Sequence, residues 1–379
     1  MSTPLEVSPV HSRRDLQAFV RFPWQVYRGD RNWVPPLISD RLHRLDPAHN
    51  PFFAHAEVEL FLARRSGRVV GTIAAFVDHR RNERYGERIG GFGFFEVIDD
   101  YAIAEALLDA ACRRVREWGM QGIRGPTNFG MIDEPGVLIA GADCPPALLE
   151  AHTPPYYREF LERYGMVKYR DQYAWRVSLP DLGRNLERIP EQAWRVFEAA
   201  RTRGDVRVRK LRLEDWDSEV ALVHELYNTC HRDVPDHMPM TPEAFRRFAN
   251  RMRPLLDPDL VLFVELDGKP VGFFVAIPDF NRVLWRMNGR LWPLGWLKML
   301  WYRRRIDQIS FKLLGVLEEY RRQGLDVLMW LEAVRIAAAK GYRWLDGSLT
   351  SELNTPVVRL AERLGAERYK HYRLYQMLF

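Results

Sequence analysis

Apolar and polar positions along the chain follow one programme twice. Residues 60–78, LFLARRSGRVVGTIAAFVD, set two apolar runs around Gly67, and residues 260–279, LVLFVELDGKPVGFFVAIPD, do the same around Gly268. Gly67, Gly71 and Asp78 pair with Gly268, Gly272 and Asp279 at a single offset. Two short apolar runs joined by a glycine-containing turn predict a hairpin in each place. FGFFEVIDDY, ending at Tyr101, then matches FKLLGVLEEY, ending at Tyr320; each predicts a strand closed by a paired-acid turn. ALLDAACRRVREWG and VLMWLEAVRIAAAKG follow, with Leu107, Ala111, Val115 and Trp118 at helical spacing and glycines Gly119 and Gly341 as stops. Short strands are expected at 122–125 and 342–347. ERYGMVKYRDQYAW (162–175) matches ERLGAERYKHYRLY (362–375), a helix end, a glycine stop and a long last strand in each case.

Matches in the same order along the chain make a tandem duplication, with the boundary in the polar stretch SLPDLGRNLERIPEQ at 178–192. The expected domains are 1–180 and 190–379. The first carries an insertion at 126–155, rich in Gly and Pro, whose Met131, Val137, Leu138 and Ile139 favour an ordered loop over a cleft. The second carries an insertion at 281–308.

Composition narrows the class. The 379 residues are 47% hydrophobic and 28% charged, a balance that builds full cores and excludes general disorder. No apolar stretch is long enough to span a bilayer, and the N-terminus lacks the apolar core of a signal peptide. Cys112, Cys144 and Cys230 are scattered and give neither a disulfide framework nor metal-ligand spacing. A cytoplasmic location is expected. The net charge of +6 permits an anionic ligand without choosing one. His231 and His237 are six apart and share no helix face, so no metal site is expected.

The element order and the turn Arg321-Arg322-Gln323-Gly324 resemble the GNAT N-acetyltransferase superfamily. Its signature, Val-x-Pro-x-x-Arg/Gln-x-x-Gly-x-Gly/Ala at a strand-to-helix junction, finds Val316, Arg321 and Gly324 in place, with Glu318 at the proline and Asp326 at the last small residue. The resemblance implies an α/β fold of two GNAT-like mixed-sheet domains in tandem, the N-terminal one degenerate. It also implies acetyl-coenzyme A or another acyl-coenzyme A as co-substrate. A helix N-terminus offers unpaired N–H groups and partial positive charge to a pyrophosphate. Gly324 would let the backbone approach, beside Arg321, Arg322, Gln323 and Leu325, while backbone near Leu314 and Val316 flanks the thioester. After Tyr101 the first half has a shorter loop without Gly or Arg, so it is expected to have lost the coenzyme.

The family's late motif places Asn354 at its asparagine and Ala361 at its usual acid tyrosine. The resemblance therefore leaves the acid to water or to Tyr369, Tyr372 or Tyr375, of which Tyr372 is taken as the candidate, and offers Glu352 as a base acting through water. Asp346 lies near that position; Glu318 and Glu319 read as a structural turn, since Asp99 and Asp100 match them in the first half. The segment NGRLWPLGWLKMLWYRRR (288–305) gathers Trp292, Trp296, Leu297, Leu300 and Trp301 before Arg303–Arg305. It could be a membrane-interface helix or an acyl groove, and packing on the neighbouring half is the favoured expectation. The activity implied is acyl transfer, with acetyl as the expected group, to the amine of a small molecule or peptide, with no DNA partner. An aminoacyl-tRNA-dependent transferase of the peptidoglycan-bridge type and a non-catalytic GNAT-like ligand-binding protein are the alternatives.

Overall fold

The computed structural model describes residues 4–130, 133–183, 185–292 and 295–379, so Met131 lies outside the described residues. The first half runs β1 (Leu5–Pro9), α1 (Arg13–Arg21), α2 (Pro23–Val26), α3 (Ile38–Arg44), β2 (Ala56–Arg65), β3 (Arg68–Asp78) and α4 (His79–Tyr85). It continues with β4 (Ile89–Val97), α5 (Tyr101–Glu117), β5 (Gly122–Gly125), β6 (Val137–Ala140), α6 (Tyr156–Arg163) and β7 (Val167–Ser178). The second half follows with α7 (Glu191–Arg201), β8 (Val206–Lys210), α8 (Trp216–Cys230), α9 (Pro242–Met252), β9 (Val261–Leu266) and β10 (Lys269–Pro278). Then come α10 (Asn281–Met287), α11 (Gly295–Tyr302), β11 (Gln308–Val316), α12 (Leu325–Ala339), β12 (Trp344–Ser351), α13 (Thr355–Arg363) and β13 (Glu367–Leu378). Both hairpins, both paired-acid turns and both long helices fall where the repeat puts them.

The chain folds as two compact units: one of Met1–Tyr173, Asn281–Trp301 and Lys370–Phe379, the other of Ala174–Phe280 and Tyr302–Tyr369. This differs from a single cut near 180. Two pieces of the second half belong to the first unit, and the reason is bonding that periodicity cannot reveal. The end of β13 pairs antiparallel with β5, Tyr375 opposite Gly125, and with β6, Tyr372 opposite Leu138. The side chain of Asn281 donates to Pro146 O at 3.0 Å, Trp285 Nε1 to Arg31 O at 3.1 Å, and Trp24 Nε1 to Asn288 Oδ1 at 2.9 Å. The 178–192 stretch is also less of a linker than its polarity suggests. Leu179, Leu182, Leu186 and Ile189 are buried in the second unit's core.

In the first unit the strand order is β1-β2-β3-β4-β5-β13, with only the β4–β5 pair parallel. α5 covers it through Ile103, Leu107, Ala111 and Val115, all fully buried, so the helical stripe read from the sequence is the core face. Among its described residues the 126–155 insertion contains β6, and Val137, Leu138 and Ala147 are buried. In the second unit the order is β7-β12-β11-β10-β9-β8, with β11 and β12 parallel. α12 packs on β9, β10 and β11 with one side and on α7 with another, which is why Leu325, Leu328, Met329, Leu331 and Val334 are apolar almost all round.

Phe274 is fully buried in this core, and its ring stacks on Phe311 at 4.8 Å and 3°. Phe274→Ala removes both the transfer energy and the stacking partner, so chemical denaturation of the full chain should show about 3–5 kcal/mol lost. A loss under about 1 kcal/mol would mean that the site collapses around the deletion.

Candidate functional site

The site begins with a fault in a ladder. Along β10 and β11, Val275 sits opposite Leu313 and Ala276 opposite Phe311, so Lys312 is an extra residue bulged out of β11. On its other side β11 pairs with β12 from Gln308↔Trp344 to Phe311↔Gly347. β11 then continues to Val316 and β12 to Ser351 with no further pair among the described residues. A bulge bends its strand, and the two parallel strands part at that point. Leu313, Leu314 and Val316 remain half-buried along the open edge, still bonded to β10 on the other side.

From Val316 the chain passes through a 3-10 turn at Glu318–Tyr320 into α12. Between that turn and α12 two residues have left-handed backbone, Arg322 at φ 62° and Gly324 at φ 78°. Gly324 is the N-cap, and no side chain caps the helix. The first N–H groups of α12 therefore have no capping side chain, and the helix's partial positive charge is exposed there. Glycine is required here for a second reason that the sequence does not show: a Cβ would stand 2.6 Å from Val196 Cγ1 on α7. The residue serves packing as well as any approach of a ligand. Arg321 is partly engaged, donating to Cys230 O at 2.8 Å and Val316 O at 3.3 Å. Gln323 Nε2 donates to Glu319 O at 3.2 Å, and Arg322 is exposed. Asp326 adds a negative charge in the first turn.

The first unit shows what the same junction looks like when closed. Asp100 caps α5 by accepting Ala102 N at 3.0 Å, and also accepts Arg65 Nη1 at 2.8 Å. The anion site of α5 is filled by the protein's own carboxylate.

The structure gathers Leu314, Val316, Arg321, Arg322, Gln323, Gly324 and Leu325 on one strand–turn–helix of the second unit. Glu352 is half-buried just past the end of β12, and Asn354 is the N-cap residue of α13 with no side-chain capping bond. Tyr372 belongs to the first unit. It is fully buried, its hydroxyl 3.5 Å from Glu150 Oε2, a place set by the pairing of β13 with β6. Tyr375 is likewise buried there and donates to Glu162 Oε1 at 2.9 Å. Tyr369 stays in the second unit, donating to the buried Asp346 at 2.9 Å, which Ser310 also bonds.

Two residues were not read as part of the site, His231 having been weighed only as a metal ligand. His231, at the end of α8, is half-buried; its Nδ1 is 2.9 Å from Tyr227 O, and its ring also meets the backbone of Leu314 on the open edge of β11. Burial, with Arg321 nearby, holds its imidazole below the ordinary histidine value despite these carbonyls. His237 lies 5.7 Å from it between ring centres, and no metal-binding group of His, Cys, Asp or Glu exists among the described residues. Glu96 is the other. It occupies the position in β4 that Gly315 has in β11, and accepts Tyr157 OH at 2.8 Å. Burial pushes its carboxyl up to about 7, against the hydrogen bonds from Tyr157 and Tyr27.

Comparison with known proteins follows this geometry. The family model described as Acetyltransferase (GNAT) family matches residues 220–366, the span of α8 through α13. Over nearly its whole length the chain is similar to Protein YghO of Escherichia coli, at 32% identity covering 96% of this chain and 93% of that one. It is 33% identical to the Bacterial ceramide synthase of Caulobacter vibrioides, covering 98% and 97%. The chain belongs to the GNAT acetyltransferase family. Solved structures extend the GNAT likeness to both halves. A tandem GNAT protein from the clavulanic acid biosynthesis pathway superposes with a TM-score of 0.59 at 13% identity, over 99% of this chain and 98% of its own. A GCN5-related N-acetyltransferase from Sphaerobacter thermophilus gives 0.55 at 13% identity, over 100% and 97%. At that identity the likeness is one of fold.

Glu96 generates a pH prediction. A carboxyl whose folded value is raised makes the native state bind the extra proton between about 4.5 and 7. Its stabilisation is present below the unfolded value and lost as pH rises through about 7. Glu96→Gln should therefore gain stability relative to the parent as pH goes from 5 to 8, by about 2–3 kcal/mol. Denaturation at the two pH values reads this directly; a difference independent of pH would show that Glu96 is charged throughout.

Proposed function

We propose that the protein is an N-acyltransferase that moves an acyl group from acyl-coenzyme A to the amine of a long-chain amino alcohol. The acyl transfer rests on family membership and on the parted β11–β12 edge leading to an uncapped helix. The acceptor class rests on one observation, the 33% identity over 98% of the chain to a protein named ceramide synthase. A ceramide is the N-acyl derivative of such an amino alcohol, so a bulky acyl group replaces the acetyl group that the sequence alone suggested.

The second unit's residues fit the co-substrate. The orphan amides of Leu325 and its successors would take the pyrophosphate, with Gly324 giving the turn its shape and Arg321, Arg322 and Gln323 around it. Backbone at Leu314 and Val316 would lie along the thioester arm and polarise its carbonyl, and Asn354 would close the far side. The thioester supplies an activated acyl carbon. The amine nitrogen attacks that carbon, the C–N bond forms and the C–S bond breaks. The ammonium must first lose a proton, and Glu352 through water or His231 directly would accept it. His231 is a candidate because it lies beside Leu314 and burial favours the uncharged form of its imidazole. On attack the nitrogen sheds a second proton, which ends on the departing thiolate directly or through water, giving the amide and the free thiol; no dedicated acid is needed, since a thiolate is a fair leaving group near neutral pH. Tyr372 has no part in this scheme, because its hydroxyl is buried against Glu150.

The test is release of free thiol from long-chain acyl-coenzyme A with a long-chain amino alcohol, set beside acetyl-coenzyme A with short amines. Turnover is expected with the first pair. Turnover only with the second would overturn the acceptor class, and none with either would overturn the acyltransferase reading. Glu352→Gln and His231→Gln should lower kcat by about 10²-fold for whichever is the base, while Tyr372→Phe changes it less than about threefold.

Asp326 offers a separate check on the coenzyme end. Asp326→Asn removes a negative charge from the helix N-terminus and should tighten coenzyme A binding by about two- to fivefold at low salt, less at high salt. Unchanged or weaker binding by calorimetry would place the pyrophosphate elsewhere.

A further inference from the structure

The insertion expected to pack on the first half does so only at its beginning. In α10, Val283 and Met287 are buried, and Gly289 O accepts Ile38 N at 3.0 Å. Gly289 has left-handed backbone at φ 72°, and a Cβ there would fall 2.2 Å from the Trp24 ring. This root is tightly set in the first unit. Beyond it the chain turns its largest apolar side chains to solvent: Trp292 is 79% exposed, Trp301 62%, Leu297 and Leu300 46% each, and Trp296 42%. Single exposed apolar residues need no explanation, but five on and beside one two-turn helix form a patch.

Charge says what would cover it. From Asn281 to Ile306 the sequence has no Asp or Glu, while Arg282, Arg286, Arg290, Lys298, Arg303, Arg304 and Arg305 are all basic. No helix among the described residues is long and apolar enough to cross a membrane. A short helix with indole and leucine side chains outward, in a segment whose charged residues are all basic, has the make-up of an interfacial element. Tryptophan sits well at the headgroup level, where its ring is in apolar surroundings and its N–H is wet. A second copy of this chain would bring the same seven cations to the contact and is disfavoured by charge; an anionic phospholipid surface is favoured by it.

We propose that α11 and the residues flanking it are a docking surface for a bilayer containing anionic phospholipid, with Trp292, Trp296, Leu297, Leu300 and Trp301 entering the headgroup region. The docking does not depend on which amine is acylated. It holds whether or not the acceptor class above is right, and its readout is binding rather than turnover.

The experiment uses the full chain and two vesicle compositions, phosphatidylcholine alone and phosphatidylcholine with about a third phosphatidylglycerol. The protein should sediment with the second at least about tenfold more strongly than with the first, and tryptophan emission should shift to the blue on binding. Raising salt from 0.1 to 0.5 M should weaken the binding several-fold. Trp292→Ser/Trp301→Ser should weaken it about tenfold or more. Both positions are solvent-exposed, so the thermal midpoint should stay within a few degrees, which separates lost docking from lost folding. Absence of binding to anionic vesicles, or a double variant that binds like the parent, overturns the proposal. So does a parent that sediments as a dimer while the double variant is monomeric, because the patch would then be covered by a second copy.

Discussion

A strand can share its bonding groups with two neighbours only while it stays in register with both. β11 fails at Lys312, where one extra residue keeps the ladder to β10 and ends the pairing to β12. Everything assigned to the second unit's site depends on that failure. It opens an edge of backbone at Leu313–Val316, it points the strand into the turn at Arg321–Gly324, and it lets His231 reach the backbone of Leu314. The antiparallel ladder on the other side holds the opened strand rigid, so the edge is set by the fold before any ligand arrives.

The first unit has a similar fault with different side chains around it. The β3–β4 ladder also shifts register, between Thr72 and Ala74, and Phe94 on β4 has left-handed backbone at φ 46°. Yet Asp100 caps α5, and Glu96 stands on the strand where Gly315 stands in the second unit. An anionic cap at the head of α5 opposes a bound pyrophosphate, and Glu96 adds a side chain where Gly315 has none. The two halves thus share the backbone constraint, which the sheet needs, and differ in the side chains set around it.

How much of this was legible follows from the range of each interaction. The hairpins around Gly67 and Gly268, the helix face of Leu107, Ala111 and Val115, and the strand-to-helix turn at Arg321–Gly324 are local patterns, and the chain folds them as read. The family follows from the same patterns. What escaped was set by distant partners. Periodicity marks β13 as a strand but cannot say that Tyr372 will lie opposite Leu138. Gly324 looks like a ligand glycine until Val196 is found 2.6 Å from its missing Cβ. His231 carries no local sign, because only the closing of α8 onto β11 gives it meaning. Bulging at Lys312 leaves no composition signal at all.

The exposed tryptophans can be weighed in the same way. Burying a large aromatic contributes on the order of 2–3 kcal/mol, so a fold that leaves Trp292 and Trp301 mostly in water forgoes a sizeable part of its own stability margin. Nothing in the mechanics of the segment forces this outcome. Its root is locked by Trp24, Asn288 and Ile38, and the same root packs Val283 and Met287 without difficulty. Random surface drift does not account for it either, since the run excludes acidic residues over the whole of 281–306 while the chain at large has 50 of them. Exposure of aromatics and exclusion of one charge sign are independent properties of the segment. A phospholipid surface is the partner that makes both favourable at once.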